Sequence, residues 1–277
     1  MMLRMAWVLI AFNVFLLSGC VTMMGNTPRT NADKALAVLD NFNTGETRTL
    51  SYVNPKIYVQ HNKAMGGNFD GLKKVLSGAK DKGYAQETQR ILEDGEFVVM
   101  HSKYNIDGPK AGFDVFRFKD GLIVEQWTGL ADESKPNRSK RTQFDGETTI
   151  SDVEKTDANK TIVRNYVNDV LIKEKIDMLA HYINADKLQQ HNPLMGDGLD
   201  GMGLMLLYLR DNKLVMNYKK LNKVIGEGNF VFTMGEGEFG KNEPSTYYDL
   251  YRLEDGKIVE HWDVIQSNSK SDWTTKQ

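Results

Sequence analysis

The 277-residue sequence has a single cysteine, Cys20. With no second thiol in the chain, an intramolecular disulfide is excluded, and so is a cysteine-rich metal centre. An excess of either charge is lacking too: 35 Lys and Arg stand against 37 Asp and Glu. That balance offers nothing to neutralise a phosphate backbone, so a nucleic-acid partner is not expected. The five histidines show no ligand spacing such as His-x-x-x-His, so no metal site is expected. Gly66-Gly67 and Gly196, Gly198, Gly201 and Gly203 do not follow a strand pattern as a nucleotide-binding loop requires. No Ser or Cys nucleophile motif is present. What the chain does have is 40% apolar residues, too many for a disordered polymer, so packed cores must hold it together.

The longest apolar run stands at the N-terminus, where Arg4 precedes residues 5–17. It is shorter than the roughly 20 residues of a spanning helix and fits the central part of a secretory signal. Leu17-Ser18-Gly19-Cys20 resembles the lipobox of bacterial lipoproteins. The resemblance implies cleavage before Cys20, lipidation of its thiol, and attachment to a membrane surface through acyl chains. Val21 replaces the Asp that retains such proteins at the inner membrane. The expected location is therefore the cell envelope, lipid-anchored at the outer membrane and facing the periplasm. Residues 1–19 read as signal peptide and 20–29 as tether.

The rest of the sequence repeats itself. Tyr52-Val53-Asn54, Gln60-His61-Asn62, Met65-Gly66 and Asp70-Gly71 recur 130 positions later as Tyr182-Ile183-Asn184, Gln190-His191-Asn192, Met195-Gly196 and Asp200-Gly201. Phe113-Asp114-Val115-Phe116-Arg117 and the run from Asp120-Gly121 to Trp127 recur 135 positions later, as Tyr248-Asp249-Leu250-Tyr251-Arg252 and Asp255-Gly256 to Trp262. Two blocks in one order at near-equal spacing mark a tandem duplication. The copies span 30–131 and 157–277. Residues 132–156, polar and without periodicity, read as a solvated linker.

Each copy reads as helices first and strands afterwards. Helical spacing places helices near 31–42 and 157–173, short ones at Leu50–Tyr52 and Leu179–Tyr182, and a third near 71–82 and 201–211. Strands follow at 96–104, 112–118 and 122–130, and at 229–239, 246–253 and 257–265. The fold class is α+β, with helices on one face of an antiparallel sheet.

Asp120-Gly121 and Asp255-Gly256 predict tight hairpin turns. If Phe118 faces Ile123, strict alternation puts Arg252, His261 and Asp263 on one sheet face, and Asp249, Glu260 and Trp262 on the other. A carboxylate among apolar walls gains a raised pKa suited to proton transfer. An Arg–Asp pair beside a satisfied histidine reads the same spacing equally well. The first copy has Gln126 and Thr128 in place of His261 and Asp263; its own candidates are His61, His101, Asp114 and Arg117. The Met and Leu residues of 202–209 suit a core or an apolar pocket.

The repeated Gln-His-Asn, Met-Gly and Asp-Gly, with the closing Asp-Gly-x-Ile-Val-Glu-His-Trp-Asp, resemble SnoaL-like proteins of the nuclear transport factor 2 superfamily over nearly the whole mature chain, twice. The resemblance implies two cone-shaped α+β barrels, each a curved sheet around an apolar pocket; a packing of the two as an internal pseudo-dimer is a separate expectation from the duplication. The resemblance also implies aldol chemistry without metal or organic cofactor. By that analogy Asp263 is the general base, His191 and His261 hydrogen-bond the enolate, and Arg252 orients Asp263. The expected function is proton-transfer chemistry on a small apolar carbonyl compound, with Asp249 in the acid–base set. The alternative is a non-catalytic binding module for an apolar molecule or an envelope partner.

Overall fold

The computed structural model describes residues 30–268; Cys20, the expected signal and tether, and residues 269–277 lie outside the described residues. Among the described residues no helix is long and apolar enough to cross a membrane.

The first copy comprises α1 (Asn31–Leu39), α2 (Asn41–Thr44), β1 (Val59–Gln60), α3 (Phe69–Ser77), β2 (Ala85–Asp94), β3 (Phe97–Asn105), β4 (Pro109–Lys119) and β5 (Leu122–Asp132). The second comprises α4 (Thr156–Tyr166), continued by a π-turn at Val167–Ile172, then α5 (Leu179–Tyr182), β6 (Gln189–Gln190), α6 (Gly198–Asp211), β7 (Val215–Glu227), β8 (Phe230–Gly240), β9 (Glu243–Glu254) and β10 (Lys257–Ser267). Short 3-10 turns stand at Arg48–Tyr52 and Ile176–Met178. The sheets have matching orders, β1-β5-β4-β3-β2 and β6-β10-β9-β8-β7, antiparallel except for the two-residue strands β1 and β6. The fold is α+β in both copies.

Strands β2 and β7 escape the alternation of period two. The first half of β2 is polar, and β7 carries two register shifts, at Tyr218/Lys220 and Leu221/Lys223. Each bulge turns the following side chains over, so the apolar residues no longer fall on every second position.

Helices cover the inner face of each sheet. Ala35, Val38, Leu39 and Phe42 meet Met100, Phe116 and Ile123 in the first copy; Val163, Tyr166 and Val167 meet Val231, Tyr251 and Ile258 in the second. The outer faces pack on each other, Val99, Phe113 and Val115 against Phe232, Leu250 and Trp262, in one shared core. Gly129 lies where the Tyr248 ring crosses from the other copy: a Cβ there would stand 2.5 Å from the ring. The central strands are therefore covered on both faces, which explains why they are apolar on both sides.

The segment between the copies differs from the solvated linker expected of it. Residues 133–152 form a strap across the outer face of the second sheet. The Asn137 amide donates to the carbonyls of Gln190 (2.6 Å) and Met195 (2.7 Å), and Arg141 pairs with Asp197 at 2.8 Å. Arg90, from β2, donates to the carbonyls of Phe144, Asp145 and Glu147. Gly146 has φ +97°, and a Cβ on it would lie 2.1 Å from Glu260 Oε1, so only glycine fits. The strap is anchored through a few buried or half-buried residues, Asn137, Arg141, Gln143 and Phe144, while most of its other polar residues face solvent.

Candidate functional site

The site is set by one bulge. Asp255 and Gly256 take positive φ, 49° and 72°, as a two-residue reversal requires. Leu253 then pairs with Ile258, but Arg252 pairs with Glu260, so Val259 is an extra residue. Everything beyond Val259 changes face relative to strict alternation. Asp249 therefore comes opposite Asp263, with His261 beside them facing Tyr251, and Arg252 goes to the outer face with Glu260. The first copy has the same shift, between Arg117 and Phe118.

A second alternation places the Gln-His-Asn motif. β6 runs parallel to β10, with Gln190 opposite His261. Gln190 and Asn192 consequently point inward, to His261 (2.8 Å) and Asp263 (2.7 Å), while His191 points outward. His191 does not face the cavity that holds Asp263. Its Nε2 meets Glu260 at 2.9 Å, its Nδ1 meets the Thr142 carbonyl of the strap at 2.8 Å, and its ring stacks on Trp262. Arg252 likewise does not orient Asp263; it binds Glu260 at 2.6 Å. Their expected roles at the enolate rested on a face assignment that the bulge and the β6 register reverse.

The same outer cluster recurs in the first copy: His61 meets Glu125 at 2.7 Å, Arg117 meets Glu125 at 2.7 Å, and His61 stacks on Trp127. Without a strap it is more open, with the His61 side chain 29% exposed against 0% for His191. The recurring His, Glu, Arg and Trp thus form an outer scaffold. His101 also lies outside the cone, in the shared core, stacked on Phe113 with Arg90 Nη1 3.2 Å from its Nδ1. Burial, and then the charge of Arg90, push its pKa well below the ordinary range. Its neutral form is thus the folded one, and stability is lost as pH falls below about 6.5, where the unfolded chain takes up the proton. His101→Met, which copies Met234 of the second copy, should flatten that loss; equal acid limbs in urea titrations from pH 7 to 4 would contradict it.

Of the first-copy candidates only Asp114 faces a cone interior. Tyr104, Gln126 (2.9 Å) and Thr128 (2.6 Å) donate to its two oxygens, so the carboxylate is fully occupied. Tyr58 and Tyr104, both buried, fill space there. At the corresponding positions of the second copy stand Leu188 and Gly237.

The second cone encloses a cavity of about 510 Å³, walled by residues such as Val170, Ile183, Leu199, Met202 and Met205, with Tyr218, His261 and Asp263 at its floor. Tyr218 donates to Asp249 Oδ1 at 3.0 Å, and His261 Nε2 lies 3.2 Å from the same oxygen. Asp249 Oδ2 and Asp263 Oδ1 are buried without a hydrogen-bond partner. Burial, together with the charge of Asp249, pushes the Asp263 carboxyl up to about 6, against the opposing pull of His261. Burial works against protonation of His261, but its bond to Asp249 and the charge of both carboxylates outweigh it, and its pKa is raised. Sequence reasoning missed Gln190, Asn192 and Tyr218. Period-two alternation through the repeated Gln-His-Asn was the available signal for the first two.

No protein-family model and no curated protein matches the chain. Solved structures similar to it include IdmH, a putative polyketide cyclase from Streptomyces antibioticus, at 19% identity, covering 37% of this chain and 92% of that one, with a TM-score of 0.33. An NTF2-like protein from Cytophaga hutchinsonii matches at 15% identity over 38% of this chain and 94% of its own, with a TM-score of 0.33. A SnoaL-like polyketide cyclase from Agrobacterium tumefaciens matches at 15% over 39% and 91%, with a TM-score of 0.31. The chain is similar to these SnoaL-like and NTF2-like structures.

Proposed function

We propose that the second copy binds a small apolar carbonyl compound and moves a proton on it. The observation that carries this reading is the unpartnered Oδ1 of Asp263 beside His261 on the floor of a cavity whose walls are largely apolar, Glu174 and Gln190 being its other polar members besides the tyrosines. Apolar walls hold the body of the compound and exclude water, and the few polar groups fix its orientation. Asp263 accepts a proton from the carbon next to the carbonyl. In its protonated form, which its bond to Asp249 favours, His261 supplies positive charge beside the oxygen on which negative charge develops. Closure of that enolate onto a second carbonyl is the aldol reaction implied by the SnoaL-like resemblance. Lipidation at Cys20 would hold this pocket at the cell envelope, and an intact-mass measurement showing unmodified Cys20 would remove that part of the proposal.

The test is isotope exchange. In D₂O containing a chelator, the wild-type chain should exchange the α-protons of an apolar cyclic ketone, followed by NMR. Bound ketone without exchange would leave a binding module in place of an enzyme.

A further inference from the structure

At the base of the second cone two carboxylates are each held by a neighbour on one oxygen and left open at the other, and His261 beside them is fixed through Nδ1 with Nε2 3.2 Å from Asp249 Oδ1. Gln190 Oε1 can only accept, so His261 Nδ1, 2.8 Å away, carries the hydrogen, and in the neutral ring Nε2 bears the lone pair. Asn192 holds Asp263 through Oδ2, leaving Oδ1 without a partner; Tyr218 holds Asp249 through Oδ1, leaving Oδ2 without one. One ligand atom from each of the three residues lies within 4.8 Å of the other two. All three residues are more than nine-tenths buried. Two carboxylates facing each other across antiparallel strands in an apolar cavity are costly unless a positive charge sits between them.

We propose that Asp249, His261 and Asp263 form a site for a divalent transition-metal ion, open on its cavity side. Gln190, Asn192 and Tyr218 act as the outer shell that fixes ring orientation and aims the carboxylate oxygens. One imidazole and two carboxylates suit zinc, manganese or iron(II) rather than a soft monovalent ion, and three protein ligands leave a position open towards the cavity. The sequence hid this set because its ligands come from two strands, brought together by the bulge at Val259. The site is the one assigned proton transfer above, and the two uses exclude each other, since both need Asp263 Oδ1 and His261 Nε2. A bound cation would therefore inhibit exchange.

The test is direct binding of Zn²⁺ and Co²⁺ to the full chain, with metal content measured by mass spectrometry after desalting and Co²⁺ coordination read by its visible absorption. The expected result is one ion per chain, lost in Asp249→Asn and His261→Gln. In Asn192→Ala it should bind about 10–100-fold more weakly. His191→Gln, whose histidine is outside the cone, should bind as wild type. No stoichiometric binding by the wild-type chain, or binding unchanged in Asp249→Asn, overturns the site. Ketone exchange in chelator without any ion binding overturns the metal site alone; one bound ion without exchange supports it and removes only the proton-transfer reading.

Discussion

Asp263→Asn should lower the rate of α-proton exchange by about 10²–10⁴-fold, the span usual for loss of a positioned general base. The ketone's affinity should change little, because the apolar walls are untouched and the amide oxygen still accepts from Asn192, as Asp263 Oδ2 does. The same variant has a stability signature. The Asp263 carboxyl is pushed up to about 6 in the folded chain, chiefly by burial. A folded pKa above the unfolded value stabilises most below about 4, and that contribution is lost as pH rises through 6. Asp263→Asn should therefore unfold at higher urea than wild type at pH 8, by up to about 3 kcal/mol, and gain nothing at pH 3.5. A variant that loses exchange while becoming more stable would separate a catalytic role from a structural one. If exchange persists at the wild-type rate in the asparagine variant, Asp263 is not the base.

Trp262→Ala should cost about 3–5 kcal/mol, near the upper end for one core residue. Trp262 is 1% exposed and belongs to the core shared by the two copies. Its ring stacks on His191 at 4.7 Å and lies 4.2 Å from the Arg90 guanidinium, and its Nε1 donates to the Asp145 carbonyl of the strap. Truncation removes the packing between sheets and leaves the strap without one of its anchors. Trp127 is an internal control. It occupies the corresponding place in the first copy, with Lys223 4.1 Å from its ring, but no strap covers it. Trp127→Ala should cost about 1–2 kcal/mol, because less area is withdrawn from water. Both rings touch the shared core, so equal losses for the two variants in urea denaturation would show that the strap adds nothing to the second copy.

The hairpins at Asp120-Gly121 and Asp255-Gly256 were legible because the chemistry that makes a tight turn is local to two residues. The helices were legible because their apolar faces repeat within a few positions. Strands β2 and β7 were not, since bulges break their alternation and their partners are set by the neighbouring strand. The candidate residues were found by type but sorted wrongly by face: Arg252 and His191 look like partners of Asp263 and are not.

The sequence by itself determined that one fold occurs twice, that its helices precede its strands, and that His261 and Asp263 are titratable groups peculiar to the second copy. The shared His, Glu, Arg and Trp proved to be outer scaffold, the shared Gln, Asn and Asp line the inner faces, and His261 and Asp263, in which the copies differ, stand at the cavity. Only the tertiary structure decided which side chains meet. A single inserted residue, Val259, exchanges the two faces of β10, and the parallel pairing of β6 with β10 sends Gln190 and Asn192 inward and His191 out. The physical reason is that side-chain direction in a strand has period two, so one extra residue moves every later group across the sheet without changing its spacing in the sequence.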